Sequence, residues 1–265
     1  MRRLRTARAP DPDESALQGF DRATFEGDPI GPVADEIVTL RPFGADIPDR
    51  VLLRGAGVEE AAAQRIPRQA RELVALGRRL DATLLLRRHL DDSPHDAVAR
   101  TLLAELLDEG GDAETGLEEL TRAHADATDP IPVLVLRGAA LARAGRTAEA
   151  EHDLREAIRL RASYAPAHFH LGLTLLRRGL GADAIAALNE ALRIAPDDPE
   201  AMYYLGEALQ FQGDFPNALA VLERAAAIAT GNPRTYMLMG RLLDRMGRTD
   251  DAMAMHKKAR EATIR

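Results

Sequence analysis

Residues 165–198 read APAHFHLGLTLLRRGLGADAIAALNEALRIAPDD, and this stretch decides the fold. His168, Leu171, Gly172 and Leu175 recur at helical spacing, so at about 100° per residue they share one face. Gly179 stands where that helix must stop, because a residue without a Cβ closes the last turn in the left-handed region at no steric cost. Beyond it Ala184, Leu188 and Ala191 share a face of a second helix in the order small, large, small. Small residues let two backbones approach, and the leucine fills the gap between them. Pro166 and Pro196 bracket the stretch, where the chain must enter and leave helices. The reading is a helical hairpin.

The same pattern extends in both directions at a spacing of 34 residues. Gly77, Gly111, Gly145, Gly179, Gly213 and Gly247 form one column, and Leu73, Leu107, Leu141, Leu175, Leu209 and Leu243 form another four residues earlier. Ala82, Gly116, Ala150, Ala184, Ala218 and Ala252 follow the glycines. Leu86, Leu120, Leu154, Leu188, Leu222 and His256 come next, then His89, Ala123, Ala157, Ala191, Ala225 and Ala259. Units therefore start at residues 63, 97, 131, 165, 199 and 233, with the glycine at unit position 15.

On these residues the chain resembles the tetratricopeptide repeat, a helix–turn–helix unit of about 34 residues with small residues at positions 8, 20 and 27. The fourth unit carries the resemblance best, through Leu171-Gly172, Leu175, Ala184, Leu188, Ala191 and Pro196. The second has Ala104 at position 8, and the first departs most, with Pro67 inside its leading helix and His89 at position 27. The resemblance covers 63–265 and implies an all-α fold. That fold is a right-handed superhelical solenoid of about six helical hairpins, with a short irregular N-terminal segment before it. Neighbouring hairpins must stack, since none can bury its apolar face alone. In the last unit, polar residues around His256 suit an outer helix, with Met253 and Met255 expected to pack inward, the alternative being that another chain covers this end.

Residues 1–62 do not repeat. Residues 1–35, rich in Asp, Pro and Gly, read as a disordered tail. Residues 36–62 read as a short cap segment, with strand-like runs at Glu36–Leu40 and Arg50–Arg54 and a helix near Val58.

Composition narrows the function. The 265 residues include no cysteine, which excludes disulfide frameworks, thiolate metal sites and a cysteine nucleophile. Hydrophobic residues at 46% and charged residues at 29% describe a folded chain. Aromatics at 4%, without tryptophan, argue for a core of Ala and Leu rather than a sheet sandwich. The formal net charge of −7 gives no basic footprint for nucleic acid. The one basic cluster, Arg2, Arg3, Arg5 and Arg8, runs at once into acidic sequence and reads as a solvated tail. No apolar run reaches the length of about 18 residues needed to span a membrane, and no secretory h-region follows the arginines. A cytoplasmic location is the default.

No catalytic constellation emerges. Asp108, Gly110, Asp112 and Glu119 imitate a calcium loop, but the third ligand and the central glycine are missing. His168 and His170, two apart on a helix, point to nearly opposite sides. His168 is expected to face the core and His170 a flank. Gly55-Ala-Gly57 lacks the third glycine of a dinucleotide loop. No cofactor and no metal are expected.

What remains is a surface. The resemblance implies that positions 2, 5, 9 and 12 of each leading helix line a concave groove. In this chain these positions, with Phe211 beside them, include Val135, Ala139, Phe169, Leu173, Leu176, Tyr203, Glu207, Gln210, Met237 and Arg241. Val135, Phe169, Leu173, Leu176, Tyr203 and Met237 would make an apolar stripe, the signal of a docking face, the alternative being that tight superhelical packing or the N-terminal segment folding back buries it. The basic-and-asparagine clamp with which some members of the family grip a terminal carboxylate is not visible at these positions. The expected function is a non-enzymatic interaction scaffold holding an apolar or amphipathic partner segment in this groove. The alternative is an accessory subunit of a larger complex or homo-oligomer, contacting partners through the solenoid ends and the N-terminal segment. The oligomeric state is left open.

Overall fold

The computed structural model describes residues 65–264, all within the unit Arg41–Arg265. The expected tail 1–35 and cap segment 36–62 lie outside the described residues. Twelve helices occupy what is described, with no strand among them: α1 (Arg65–Ala75), α2 (Arg79–Asp92), α3 (Ala97–Glu109), α4 (Ala113–Asp126), α5 (Pro130–Arg143), α6 (Thr147–Leu160), α7 (Ala165–Arg177), α8 (Gly181–Ile194), α9 (Pro199–Gln212), α10 (Phe215–Ile228), α11 (Pro233–Arg245) and α12 (Thr249–Ile264). Odd helices lead a hairpin and even ones trail it. Each trailing helix packs on its own leading helix and, from α2 to α10, on the next one.

Each hairpin closes alike. Gly179 sits at φ 74°, in the left-handed region. Its N–H donates to the carbonyl of Leu176, and the Leu180 N–H donates to that of Leu175, both at 2.9 Å. The conserved spacing between leucine and glycine columns thus reflects a backbone bond as well as a side chain: each such leucine supplies the carbonyl that the post-glycine amide caps. Leading helices begin with equal regularity. Asp96, Asp129, Asp198 and Asn232 accept hydrogen bonds from first-turn amides, and Pro130, Pro166, Pro199 and Pro233 occupy first turns, where a missing N–H costs nothing.

Inside the hairpin a leucine fills a space that only glycine leaves. A Cβ on Gly172 would lie 2.6 Å from Leu188 Cγ, and Leu188 is fully buried. Gly138 with Leu154 and Gly206 with Leu222 repeat the arrangement. The second unit reverses the small residues: Ala104 holds position 8, and position 20 is Gly116, where a Cβ would meet the Ala104 carbonyl at 3.0 Å. In the last unit the His256 ring covers Gly240 and pairs with Asp244 at 3.0 Å.

Two buried ion pairs interrupt the apolar interior. Arg137 holds Asp153 through two bonds of 2.6 and 2.9 Å, and Arg100 reaches Glu119 at 2.5 Å. Asp153 and Glu119 stand at unit position 23, which is Ala187 in the fourth hairpin. Helical periodicity gives no hint of these pairs. At the far end, Met255 packs against the core cluster of the last two hairpins, whereas Met253 is 58% exposed. The expectation that both turn inward therefore fails for Met253. Its counterparts Leu117 and Leu219 are buried in clusters that include the following hairpin, and none follows Met253 among the described residues.

Candidate functional site

Leading helices stack side by side, α5 on α7 and α7 on α9, so equivalent positions 34 residues apart become neighbours. Their free side forms a shallow cleft of about 30 Å³. Its apolar floor is Ala139, Ala142, Phe169 and Leu173, and its rim is Arg143, His170, Thr174, Arg177, Glu200 and Tyr204. Of the residues expected in a groove, Ala139, Phe169 and Leu173 border this cleft. Leu176, Glu207 and Gln210 are half-buried nearby in sequence, and Phe211, Met237 and Arg241 are exposed.

The expected open stripe is interrupted. Val135, Phe169 and Tyr203 are all under 10% exposed. Val135 belongs to a cluster with Tyr164 and with Ala167 and Leu171 of the next unit, and Phe169 to one with Ala201 and Leu205 of the unit after its own. Position 5 points into the seam between consecutive leading helices, so stacking consumes most of its apolar surface. What reaches the cleft is the edge of Phe169, together with position 6, which the sequence reading passed over. His170 and Tyr204 occupy that position in consecutive units.

The rings form a connected row. Phe169 meets His170 edge-on at 5.0 Å and Tyr204 at 5.7 Å, and Tyr204 meets Tyr203 at 5.2 Å. The Arg234 guanidinium stands 4.6 Å from the Tyr203 ring centre and donates to the Tyr204 hydroxyl at 3.4 Å. Such contacts fix aromatic orientation and keep the row rigid.

Charge is arranged along the same side. His170 is held neutral, its pKa lowered to about 4, by burial first and then by the fields of Arg143 and Arg177. Upstream, Glu105 at position 9 of α3 is raised to about 7. Burial is the main cause; Arg71 and Arg143 oppose it, and the Glu109 carboxylate adds to it. Arg143 bonds Asp108 at 2.6 Å, tying the rim of the cleft to the acidic second unit. Farther on, Gln210 keeps its Oε1 buried with no hydrogen-bond partner among the described residues. His168, as expected, faces inward, bonded to the Ala162 carbonyl at 2.9 Å. No group of acidic or histidine side chains among the described residues could hold a metal ion. No described helix is long and apolar enough to cross a membrane.

Models of the tetratricopeptide repeat match residues 135–199 and 197–264. The chain belongs to the tetratricopeptide-repeat family. Solved structures carry the same fold. PilF of Pseudomonas aeruginosa is 23% identical with a TM-score of 0.65, over 74% of this chain and 89% of that one. PilW, described as a widely conserved type IV pilus biogenesis factor, is 18% identical with a TM-score of 0.69, over 73% and 90%. MamA is 22% identical with a TM-score of 0.54, over 61% and 94%. At these identities the likeness establishes the fold alone. No curated protein matches the chain. Family membership supports a protein-interaction scaffold.

Proposed function

We propose that this protein is a non-enzymatic scaffold that grips an apolar or amphipathic segment of a partner protein in the cleft formed by α5, α7 and α9. The observation that carries the reading is the composition of that cleft. Two consecutive leading helices, α5 and α7, contribute a floor of Ala139, Ala142, Phe169 and Leu173, and α9 adds Glu200 and Tyr204 to the polar groups around it. Aromatic anchors on a rigid row suit the few contacts that dominate binding energy. Polar groups at Arg177, Glu200 and Tyr204 on the rim can supply register. The absence of a basic-and-asparagine clamp at these positions favours an internal segment over a terminal carboxylate.

The test uses a Leu173→Glu variant with Tyr204→Ala as a second probe. Both border the cleft and pack against the cluster of the fourth and fifth hairpins, so an unchanged thermal midpoint must accompany each variant. Helicity should be unchanged by circular dichroism, and capture of the native partner from the source cell should fall by at least about tenfold. Undiminished capture by both variants would move the site elsewhere on the solenoid.

A further inference from the structure

The repeat provides its own control for reading surfaces. Unit positions 18 and 22 lie on the outward side of the trailing helices. In units two to five they hold Glu114 and Glu118, Ala148 and His152, Ala182 and Ala186, then Pro216 and Ala220, all exposed. They have no packing role to play, so the first unit is free to place anything there. It places Leu80 and Leu84, 81% and 59% exposed, with Leu76 at the preceding turn. Leu80 and Leu84 are one helical turn apart and form a narrow apolar strip along α2.

Charge surrounds the strip unevenly. Residues 65–96 carry seven arginines against five Asp and Glu, in a chain whose net charge is −7. Arg78 and Arg79 are engaged, with Asp81 at 2.6 Å and Glu109 at 3.2 Å. Arg87 and Arg88, one turn beyond Leu84, are exposed and have no ion-pair partner among the described residues. Asp91 and Asp92 follow them without pairing. A leucine strip that ends in two free arginines is complementary to a helix carrying apolar residues one turn apart, followed by acidic ones. A broad anionic surface fits less well. The adjoining second unit holds nine Asp and Glu against two arginines across residues 97–130, and would repel it.

We propose that the outward face of α2 is a second docking surface, taking an acidic amphipathic helix from a partner protein. The scaffold then joins two partners, one on the outer face of the first hairpin and one in the cleft of the third to fifth. The α2 surface does not depend on the cleft; the joining of two partners rests on that proposed function.

Two fluorescent synthetic helices test it against the full chain. They share leucines one turn apart, and differ in carrying glutamates or lysines at the remaining surface positions. Fluorescence anisotropy should show the acidic helix binding and the lysine helix not. Leu80→Ser with Leu84→Ser should weaken binding by at least about tenfold. Arg87→Glu with Arg88→Glu should reverse the preference toward the lysine helix, a result no unfolding could mimic. Leu173→Glu should leave the acidic helix bound, which separates this face from the cleft. Binding lost in Leu173→Glu, or indifference of the preference to the arginine reversal, overturns the proposal. So does binding seen only after removal of residues 1–64, since the chain itself would then be the occupant. A dimer by light scattering that dissociates in the leucine variant, or sedimentation with phosphatidylserine vesicles lost in that variant, overturns it in favour of a second copy or a lipid surface.

Discussion

The fourth and fifth hairpins and the first two are built on one backbone plan and differ in almost everything that faces outward or sideways. In α7 to α10 the interior holds no buried ion pair, with Gly172 and Gly206 receiving Leu188 and Leu222, and the free side carries a row of rings. In α1 to α4 the same interior position that is Ala187 downstream is Glu119, held by Arg100 at 2.5 Å and Arg122 at 2.7 Å. There the free side holds Glu105, Asp108 and Glu109. A fixed set of packing positions thus leaves the remaining surface free to diverge, and partner choice is written in that remainder.

Removing the ionic feature of the early hairpins should have the largest effect. Glu119→Ala leaves Arg100 desolvated without its partner and should cost about 3–5 kcal/mol, read as a shift in the urea midpoint. Replacing Ala187 with Ser at the matching position should cost far less. Equal losses would show that the early interior does not depend on its ion pair.

The next test concerns pH. Glu105, raised to about 7 from 4.5, binds its proton more tightly when folded, so it stabilises at low pH and that contribution is lost as pH rises through about 7. His170, lowered to about 4 from 6.5, binds its proton less tightly when folded, so its contribution is present above about 6.5 and is lost as pH falls toward 4. In the wild type the two oppose one another. Glu105→Gln should unmask stability that rises by about 2–3 kcal/mol between pH 4 and 6.5, and His170→Phe should unmask a fall of similar size up to pH 7. Matching pH profiles for the two variants would contradict the assignment.

A smaller contrast lies in the glycine at position 8. Gly172→Ala pushes a methyl group into the fully buried Leu188 and should cost about 1–3 kcal/mol. Ala104→Gly in the second unit removes a buried methyl group and adds a helical glycine without relieving any conflict, and should cost about 1–2 kcal/mol. Smallest of all, Leu84→Ser on the exposed face of α2 should change stability by less than about 0.5 kcal/mol.

The hairpins were legible from sequence because their determinants are local. The leucine and glycine columns are joined by the capping bond between residues five apart, and the small–large–small face lies within one helix. The ion pairs were not legible. Arg137 and Asp153 are 16 residues apart on different helices, and a charge at helical spacing reads as solvated until its partner is seen. The cleft was half legible. Ala139, Phe169 and Leu173 were named from their unit positions, but the burial of Val135 and Tyr203 depends on the neighbouring hairpin, whose approach no single unit encodes. The one available signal for the missing rim was the pairing of rings at Phe169-His170 and Tyr203-Tyr204, adjacent in sequence and 34 residues apart.

The most direct measurement scans a photo-crosslinking amino acid along two series in the intact protein. One series replaces Ala139, Leu173 and Glu207 on the leading helices, and the other His152, Ala186 and Ala220 on the trailing ones. A partner held where α5, α7 and α9 meet should be trapped from the first series, most strongly at Leu173, and not from the second. Trapping confined to the trailing helices would contradict the account.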